Sequence, residues 1–456
     1  MIKRFLAISI MVLVMAFVVS CAQDAPAPAA DAPAAPAPAA PAPQAAEAPV
    51  AEAADEITEL VFWHIQTHEL RAPILQDAVD RFMASNPNYN VNVVTIMNDV
   101  YKQQLIIAMA ANELPDIFMS WTGGPMIEYI NAGHLFDMTD LVNATDIPDR
   151  LLEAGLAQGT HNDRIYGLPA EGVAIAVVFY NRTMFADLGI EVPTTIAELE
   201  QVAETLIANG IIPFALANHN RWTGSMYYMN LATRIGGLEP FKGAVSGEGS
   251  FHHDSFVLAG NTIQDWVNRG FFAPGFNGLD EDIGQSRQLM YAGLAGMHVI
   301  GNWFVSQVLS ENPDFYEHVG VFQFPAWENS PANQNIVIGT VGDNFYHIAS
   351  TSASPEGAFR LLTYVVDDVA MMQRLAAGAI PPIVGVADLL EDPLLQEIMR
   401  IVQNAPAVQL WYDQYLPPFV GQAHLNSLQE VFGLTMTPEE ANAAKQEAVE
   451  AYRAGN

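Results

Sequence analysis

The chain has 456 residues, and its 18 Lys and Arg against 51 Asp and Glu give a net charge of −33. So acidic a surface excludes nucleic acid as a natural partner, because phosphate binding needs a basic face. A single cysteine excludes both a disulfide framework and a thiolate metal cage.

The amino terminus opens with Lys3 and Arg4 and continues from Phe5 to Val19 as an apolar run without charge. This is the layout of a secretory signal peptide, expected over residues 1–20. At about 15 apolar residues the run is shorter than the ~20 that a membrane-spanning helix needs. Removing Lys3 and Arg4 with the signal takes the charge from −33 to −35. The lone cysteine, Cys21, follows at once, and Val18-Val19-Ser20-Cys21 resembles the bacterial lipobox, with Val18 where leucine is usual. That resemblance implies a diacylglycerol anchor on Cys21. Residues 21–54 are an alanine and proline tract, which denies the backbone its regular hydrogen bonds and predicts an extended tether. The remaining residues are too many for one ordinary core and suit two lobes.

The folded part begins with "ITELVFWHI", rich in β-branched and aromatic residues, followed by Ile74, Leu75, Ala78, Val79, Phe82 and Met83 at helical spacing. A strand "VNVVTIM", a helix through Leu105, Ile106 and Met109, and a strand "DIFMSW" complete a βαβαβ order. That order predicts a parallel α/β sheet with ligand contacts at the carboxyl ends of its strands. A second α/β unit begins near residue 172. In "PTTIAELEQVAETLIANG", Thr195 and Glu198 form a capping box, Ile196, Leu199, Val202, Leu206 and Ile207 share one face, and Gly210 ends the helix. From about 215 to 340 the pattern reads as looser, with scattered aromatics and glycines. Ser354 is then expected to cap a helix through Leu361, Leu362, Val365 and Val366 that ends at Gly378. Thr437 and Glu440 form another capping box before a final helix.

No nucleophile elbow, Walker loop or H-E-x-x-H motif is present. His64 and His68 straddle the end of a strand, where their spacing does not converge on a metal as it would on a helix. Tryptophans, by contrast, recur beside polar and acidic residues at strand ends and loops: Trp63-His64, Trp121-Thr122, Asn220-Arg221-Trp222, Asn302-Trp303 and Trp411-Tyr412-Asp413. A sugar ring has an apolar C–H face and an equatorial fringe of hydroxyls. Its host combines a flat aromatic surface with carboxylates and amides. His64, Trp121, Asn220, Trp222, Asn302, Trp303, Trp411 and Asp413 are therefore candidate ligand contacts.

From about residue 57 onward, several ordered segments resemble the extracellular solute-binding lipoproteins of bacterial carbohydrate ABC importers, the class related to maltose-binding protein. They are "ELPDIFMSW", "RIYGLPAEGVAIAVVFYNRTMFADLGIEVPTTIAELEQVAETL", "GLAGMHVIGNWF" and "GTVGDNFYHIASTSASPEGAFRLLTYVVDDVAMMQRLAAGAIPPI". The resemblance implies an α/β, two-lobed periplasmic-binding-protein-like fold with three interlobe crossings and a ligand cleft. Its amino-terminal lobe would hold 57–170 plus 341–380, and its carboxy-terminal lobe 171–340 plus 381–456. The crossings would fall at "PAEGVAIA", at "GTVGDNFY" and after "AAGAIPP". Glu171 stands where a relative's crossing supplies a sugar-binding glutamate, and Trp303 where a tryptophan stacks on a sugar ring. Asp343 occupies a crossing position where this class commonly has glycine. "VQLWYDQYLPP" is similar to a segment of oligosaccharide-binding members and makes Asp413 a hydroxyl acceptor. The implied protein is a monomer, without cofactor or metal, held at the membrane through Cys21. Its partners are a small-molecule carbohydrate and the ABC permease subunits. The same architecture could bind a polyamine, peptide or other non-sugar solute, or serve a sensor or adhesion subunit; an anchored glycosidase would need two carboxylates about 5 to 9 Å apart across a sugar bond.

Overall fold

A computed structural model of the chain describes residues 57–455. The expected signal peptide, Cys21 and the Ala/Pro tether of 21–54 lie outside the described residues.

The first sheet has five strands, in the order Tyr89–Thr95, Thr58–His64, Ile117–Ser120, Asp343–Ile348 and Leu168–Glu171. The first three are parallel, with Leu60 opposite Val91 and Phe62 opposite Ile117. The strand Asp343–Ile348 runs antiparallel to both of its neighbours. The sheet is thus mixed, where a wholly parallel one was expected. The reason lies in connectivity: this strand enters from the other lobe rather than through a crossover helix. Leu60 and Phe62 alternate with half-buried residues and pack on Leu75, Val79 and Phe82 of the helix Ala72–Ser85 and on Leu361 and Leu362.

The second sheet is centred on Ala174–Asn181, which reads "AIAVVFYN" without alternation because both its faces are buried. It pairs antiparallel with Ala295–Gly301, Val337–Thr340 and Val319–Phe322. The stretch expected to be loose contains long helices, among them Trp222–Gly236 and Asp254–Asn268. Trp222–Gly236 is buried along nearly its whole length, so it lacks the two-faced pattern by which a helix is recognised. Val386, Val431 and Val449 join this second core.

Both capping boxes form. The Thr195 hydroxyl and the Glu198 carboxylate each accept from the other residue's backbone N–H, and Thr437 and Glu440 do the same. Ser354 sits at the N-cap position, but its side chain makes no capping bond and lies near the Tyr89 hydroxyl. The helix expected to reach Gly378 is two helices, Pro355–Val365 and Asp368–Ala376. The Asp367 carboxylate accepts from Ala370 N–H and starts the second.

The chain leaves the first sheet at Glu171 and joins the second at Ala174, and it returns between Thr340 and Asp343. At the first of these passages Val173 N–H donates to the carbonyl of Ile380, on the segment after Ala376. Gly172 lies so close beneath it that a Cβ there would stand 1.6 Å from the Ile380 oxygen. The obstacle is backbone and cannot swing aside. Gly172→Ala is expected to lower the unfolding free energy by about 3 kcal/mol, measured in urea. Gly278→Ala, with nothing within 4 Å of the added methyl, should stay within ~0.5 kcal/mol.

Candidate functional site

Between the two cores lies a cavity of about 740 Å³. From the amino-terminal side it is lined by residues that follow the carboxyl ends of the three parallel strands: the Ile65–Glu69 loop, Met97 and Asn98, and Trp121. This is where a parallel sheet leaves its loop backbones and helix starts open to a ligand. The facing wall comes from Trp222, Trp303, Trp411, Asp413 and the helix Phe304–Glu311, with Asp343 at the passage between sheets.

Three indoles form one corner of the cavity. The Trp222 and Trp303 rings are 6.0 Å apart at 60°, and the Trp303 and Trp411 rings 6.1 Å apart at 60°. The local sequence explains how Trp303 is held. Gly301 lets its ring fold back over the chain, since a Cβ there would be 2.0 Å from the indole. The Asn302 side chain accepts from Ile175 N–H at 2.8 Å and donates to the Val173 carbonyl at 3.0 Å, tying the loop to the first crossing. Across the cavity, Lys102 Nζ lies 5.1 Å from the Trp121 ring centre, so one face of that indole already carries a cation.

Glu171 stands behind the wall. It is 5% exposed and accepts from Gln66 Nε2 at 3.3 Å, Arg374 Nε at 3.3 Å and Arg71 Nη1 at 3.5 Å. Directly opposite it in sheet register is Asp343, which does face the cavity. Burial pushes the Asp343 carboxyl up to about 6, with Glu171 and Asp413 adding repulsion. Burial also raises Asp413. The His68 ring, in the cavity wall, is driven down to about 4 by burial and by Arg71, and is therefore neutral at ordinary pH.

The lobes touch at several points. Arg71 donates to Ser306 Oγ at 2.8 and 3.1 Å. At the rim Asn220 Nδ2 donates to Asp99 Oδ2 at 2.9 Å, and Asp99 N–H donates to Asp282 Oδ2 at 3.0 Å.

Of the residues expected from sequence, Trp121, Trp222, Trp303, Asp343, Trp411 and Asp413 line this cavity. Glu171 and Asn302 do not; they brace it from behind, since their polar atoms are taken up by protein partners. Nor does His64, which is buried with Nδ1 accepting from Gln66 N–H and Nε2 beside the Thr95 hydroxyl. Asn220 belongs to the rim contact and not to the wall. Sequence reasoning missed His68, weighed only as a metal ligand, and the stripe Ser306, Gln307, Ser310 and Glu311. The stripe was legible: counted from Trp303 these residues fall at i+3, i+4, i+7 and i+8, one helix face, opposite buried Phe304, Val305 and Val308.

Two lobes enclosing an aromatic-walled cavity at strand ends define a receptor for a small ligand. The bacterial extracellular solute-binding protein family matches residues 67–372, and the chain belongs to that family. It is 23% identical over 413 residues to an uncharacterized ABC transporter extracellular-binding protein of Pyrococcus horikoshii, covering 87% of this chain and 88% of that one. It is 22% identical over 372 residues to the multiple sugar-binding protein of Streptococcus mutans, covering 79% and 81%. Among solved structures, one from work on xylan utilization by Caldanaerobius polysaccharolyticus superposes with a TM-score of 0.80 at 29% identity, covering 86% of this chain and 99% of that one. A chitin oligosaccharide binding protein gives a TM-score of 0.81 at 24% identity, covering 88% and 100%.

The raised carboxyl of Asp343 carries a stability consequence. A carboxyl whose folded value lies above its unfolded value destabilises the fold progressively as pH rises through that window, here from about 3.8 to about 6, and fully above it. Asp343→Asn is therefore expected to stabilise the protein near neutrality by on the order of 1 kcal/mol, a figure reduced because the group partly meets cleft water. Urea unfolding at a series of pH values should show the gain shrinking toward zero near pH ~4.

Proposed function

We propose that this protein is the extracytoplasmic substrate-binding subunit of a carbohydrate ABC importer, capturing a sugar or oligosaccharide between its lobes and presenting it to the permease. The observation that carries the reading is the corner of Trp222, Trp303 and Trp411, facing Trp121 across a cavity large enough for an oligosaccharide. Indole faces stack on the C–H faces of sugar rings, and Asp343 and Asp413 stand beside them to accept from hydroxyls. Relatives that bear the names of binding proteins, one of them for multiple sugars, support it, and none of the steps proposed here makes or breaks a covalent bond.

Closure is the mechanism. A ligand held at once by the His68 loop and Trp121 on one lobe and by the indoles on the other favours the state in which those surfaces face each other. Its population rises with that preferential affinity. Micromolar binding, about −8 kcal/mol, is within reach of a few stacked rings and charge-assisted hydrogen bonds after entropic losses. On this reading Cys21 carries the lipid, the Ala/Pro tract is the tether, and the protein acts as a monomer.

A thermal-shift screen against mono- and oligosaccharides, with polyamines, amino acids and peptides as controls, tests the proposal. A sugar present at ~100 times its Kd should stabilise by about 2.7 kcal/mol. Silence from every sugar together with a shift from a control overturns the sugar reading. Trp303→Ala is expected to weaken the sugar that binds by at least ~1 kcal/mol. Because the ring also packs on Trp222, Trp411 and Gly301, the unliganded melting point should fall as well, and affinity is compared at a temperature where both proteins are folded.

A further inference from the structure

We propose that the cleft filters its ligands by charge, taking oligosaccharides whose rings are neutral or carry an amine and turning away those that bear a carboxylate or sulfate. The inference rests on the sugar-receptor reading and narrows it to a chemical class.

Recognition of an anionic sugar requires a cation free to make charge-assisted hydrogen bonds, most effectively an arginine fork. The cavity wall contains Arg71, Lys102 and Arg287, and each is already engaged. Arg287 is locked between Glu281 at 2.7 Å and Glu311 at 2.8 Å, with its side chain 7% exposed. Arg71 divides its donors between Glu171 and Ser306. Lys102 is held by charge alone, 3.8 Å from Asp99, over the Trp121 ring and near Asp413. A ligand carboxylate would compete at each cation with a carboxylate that already neutralises it.

The uncommitted groups point the other way. Asp343 and Asp413 line the cavity, and neither carboxylate accepts a hydrogen bond from another side chain among the described residues. The buried wall atoms that lack a partner are both ring nitrogens of His68, Oε1 of Gln307 and Nε1 of Trp222. All belong to neutral side chains, His68 being held uncharged by its surroundings. Buried polar atoms without partners mark where a ligand's groups belong. These suit hydroxyl and acetamido groups, which donate and accept without charge. An amine would find Asp343 and Asp413 waiting; a carboxylate would meet their repulsion in a partly desolvated space.

The test is isothermal titration of the purified protein with chitotriose, cellotriose and mannotriose. Each is paired with a derivative in which one primary hydroxyl is oxidised to a carboxylate, leaving rings and linkages unchanged; the glucosamine trimer and trigalacturonate complete the panel. The expected result is that the carboxylate derivative of whichever parent binds is at least 100-fold weaker at low salt. The gap should narrow at least threefold in ~0.5 M salt, where charge is screened, and the glucosamine trimer should bind no more weakly than chitotriose. In Asp343→Asn/Asp413→Asn, the carboxylate derivative should recover at least tenfold. Binding of a carboxylate derivative within threefold of its parent, or micromolar binding of trigalacturonate, overturns the filter and leaves the sugar reading standing. A loss unmoved by salt in the unmodified protein would be steric and also overturns it. Where another sugar is the one that shifts the melting curve, the same neutral and carboxylate pair is made from it; if no sugar binds and a control does, the sugar-receptor reading itself fails and the filter falls with it.

Discussion

The buried Glu171 carboxylate is the point on which the two-lobed arrangement turns. A charge at this depth is tolerable only when it is paired and its lone pairs are filled. Its partners arrive from separate parts of the chain: Gln66 and Arg71 from the loop before the helix Ala72–Ser85, and Arg374 from the helix Asp368–Ala376. The pairing fastens the end of the first-sheet strand Leu168–Glu171, where the chain departs for the other lobe, to the helices beside it. Arg71 then extends the network to Ser306 on the opposite lobe. Two glycines permit the close approaches around this centre: Gly172 beneath Ile380 and Gly301 beneath the Trp303 ring.

The same arrangement explains the character of Asp343. Two carboxylates face each other in register on adjacent strands, and the arginines serve one of them. Like charges directly opposite destabilise a sheet. Glu171 becomes a strut, while Asp343 is left turned toward the cavity with its proton held more tightly than usual. Shifted ionisation of this kind clusters at sites of function, where groups are placed for a ligand at some expense in stability.

Lobe contact is divided between protein and cavity. Asn220 with Asp99, Asp99 with Asp282, and Arg71 with Ser306 join the lobes directly. Tyr452 with Glu128, and the close approach of Gly123 and Gly124 to the Gln414 and Leu416 carbonyls, add to them. Each such hydrogen bond contributes about 0.5–1.5 kcal/mol, and a ligand touching both walls adds its own contacts to the lobe arrangement in which they are made.

Much of this was legible in the sequence for local reasons. The β-branched and aromatic run "ITELVFWHI", helical spacing from Ile74 to Phe82 and the boxes at Thr195 and Thr437 depend on neighbours a few residues away, and they formed as read. Tryptophans beside polar residues at strand ends marked the cavity because an exposed indole without a ligand is a poor use of surface. The misreadings have a common origin in distance along the chain. Trp222–Gly236 hid its helical nature because burial on all sides erased its periodicity. The return strand Asp343–Ile348 reversed direction because it arrives from the other lobe. Glu171, Asn302 and Asn220 have the residue chemistry of ligand contacts, yet each has a partner 105, 129 and 121 residues away, respectively, and His64 divides its ring between Gln66 N–H two residues on and Thr95 31 residues on. Sequence alone determined the elements whose signals are local, the acidic balance and the aromatic character of the site. Only tertiary structure decided which polar groups are spent on the protein and which remain for a ligand, because a hydrogen bond satisfies one partner at a time and that choice is made in space.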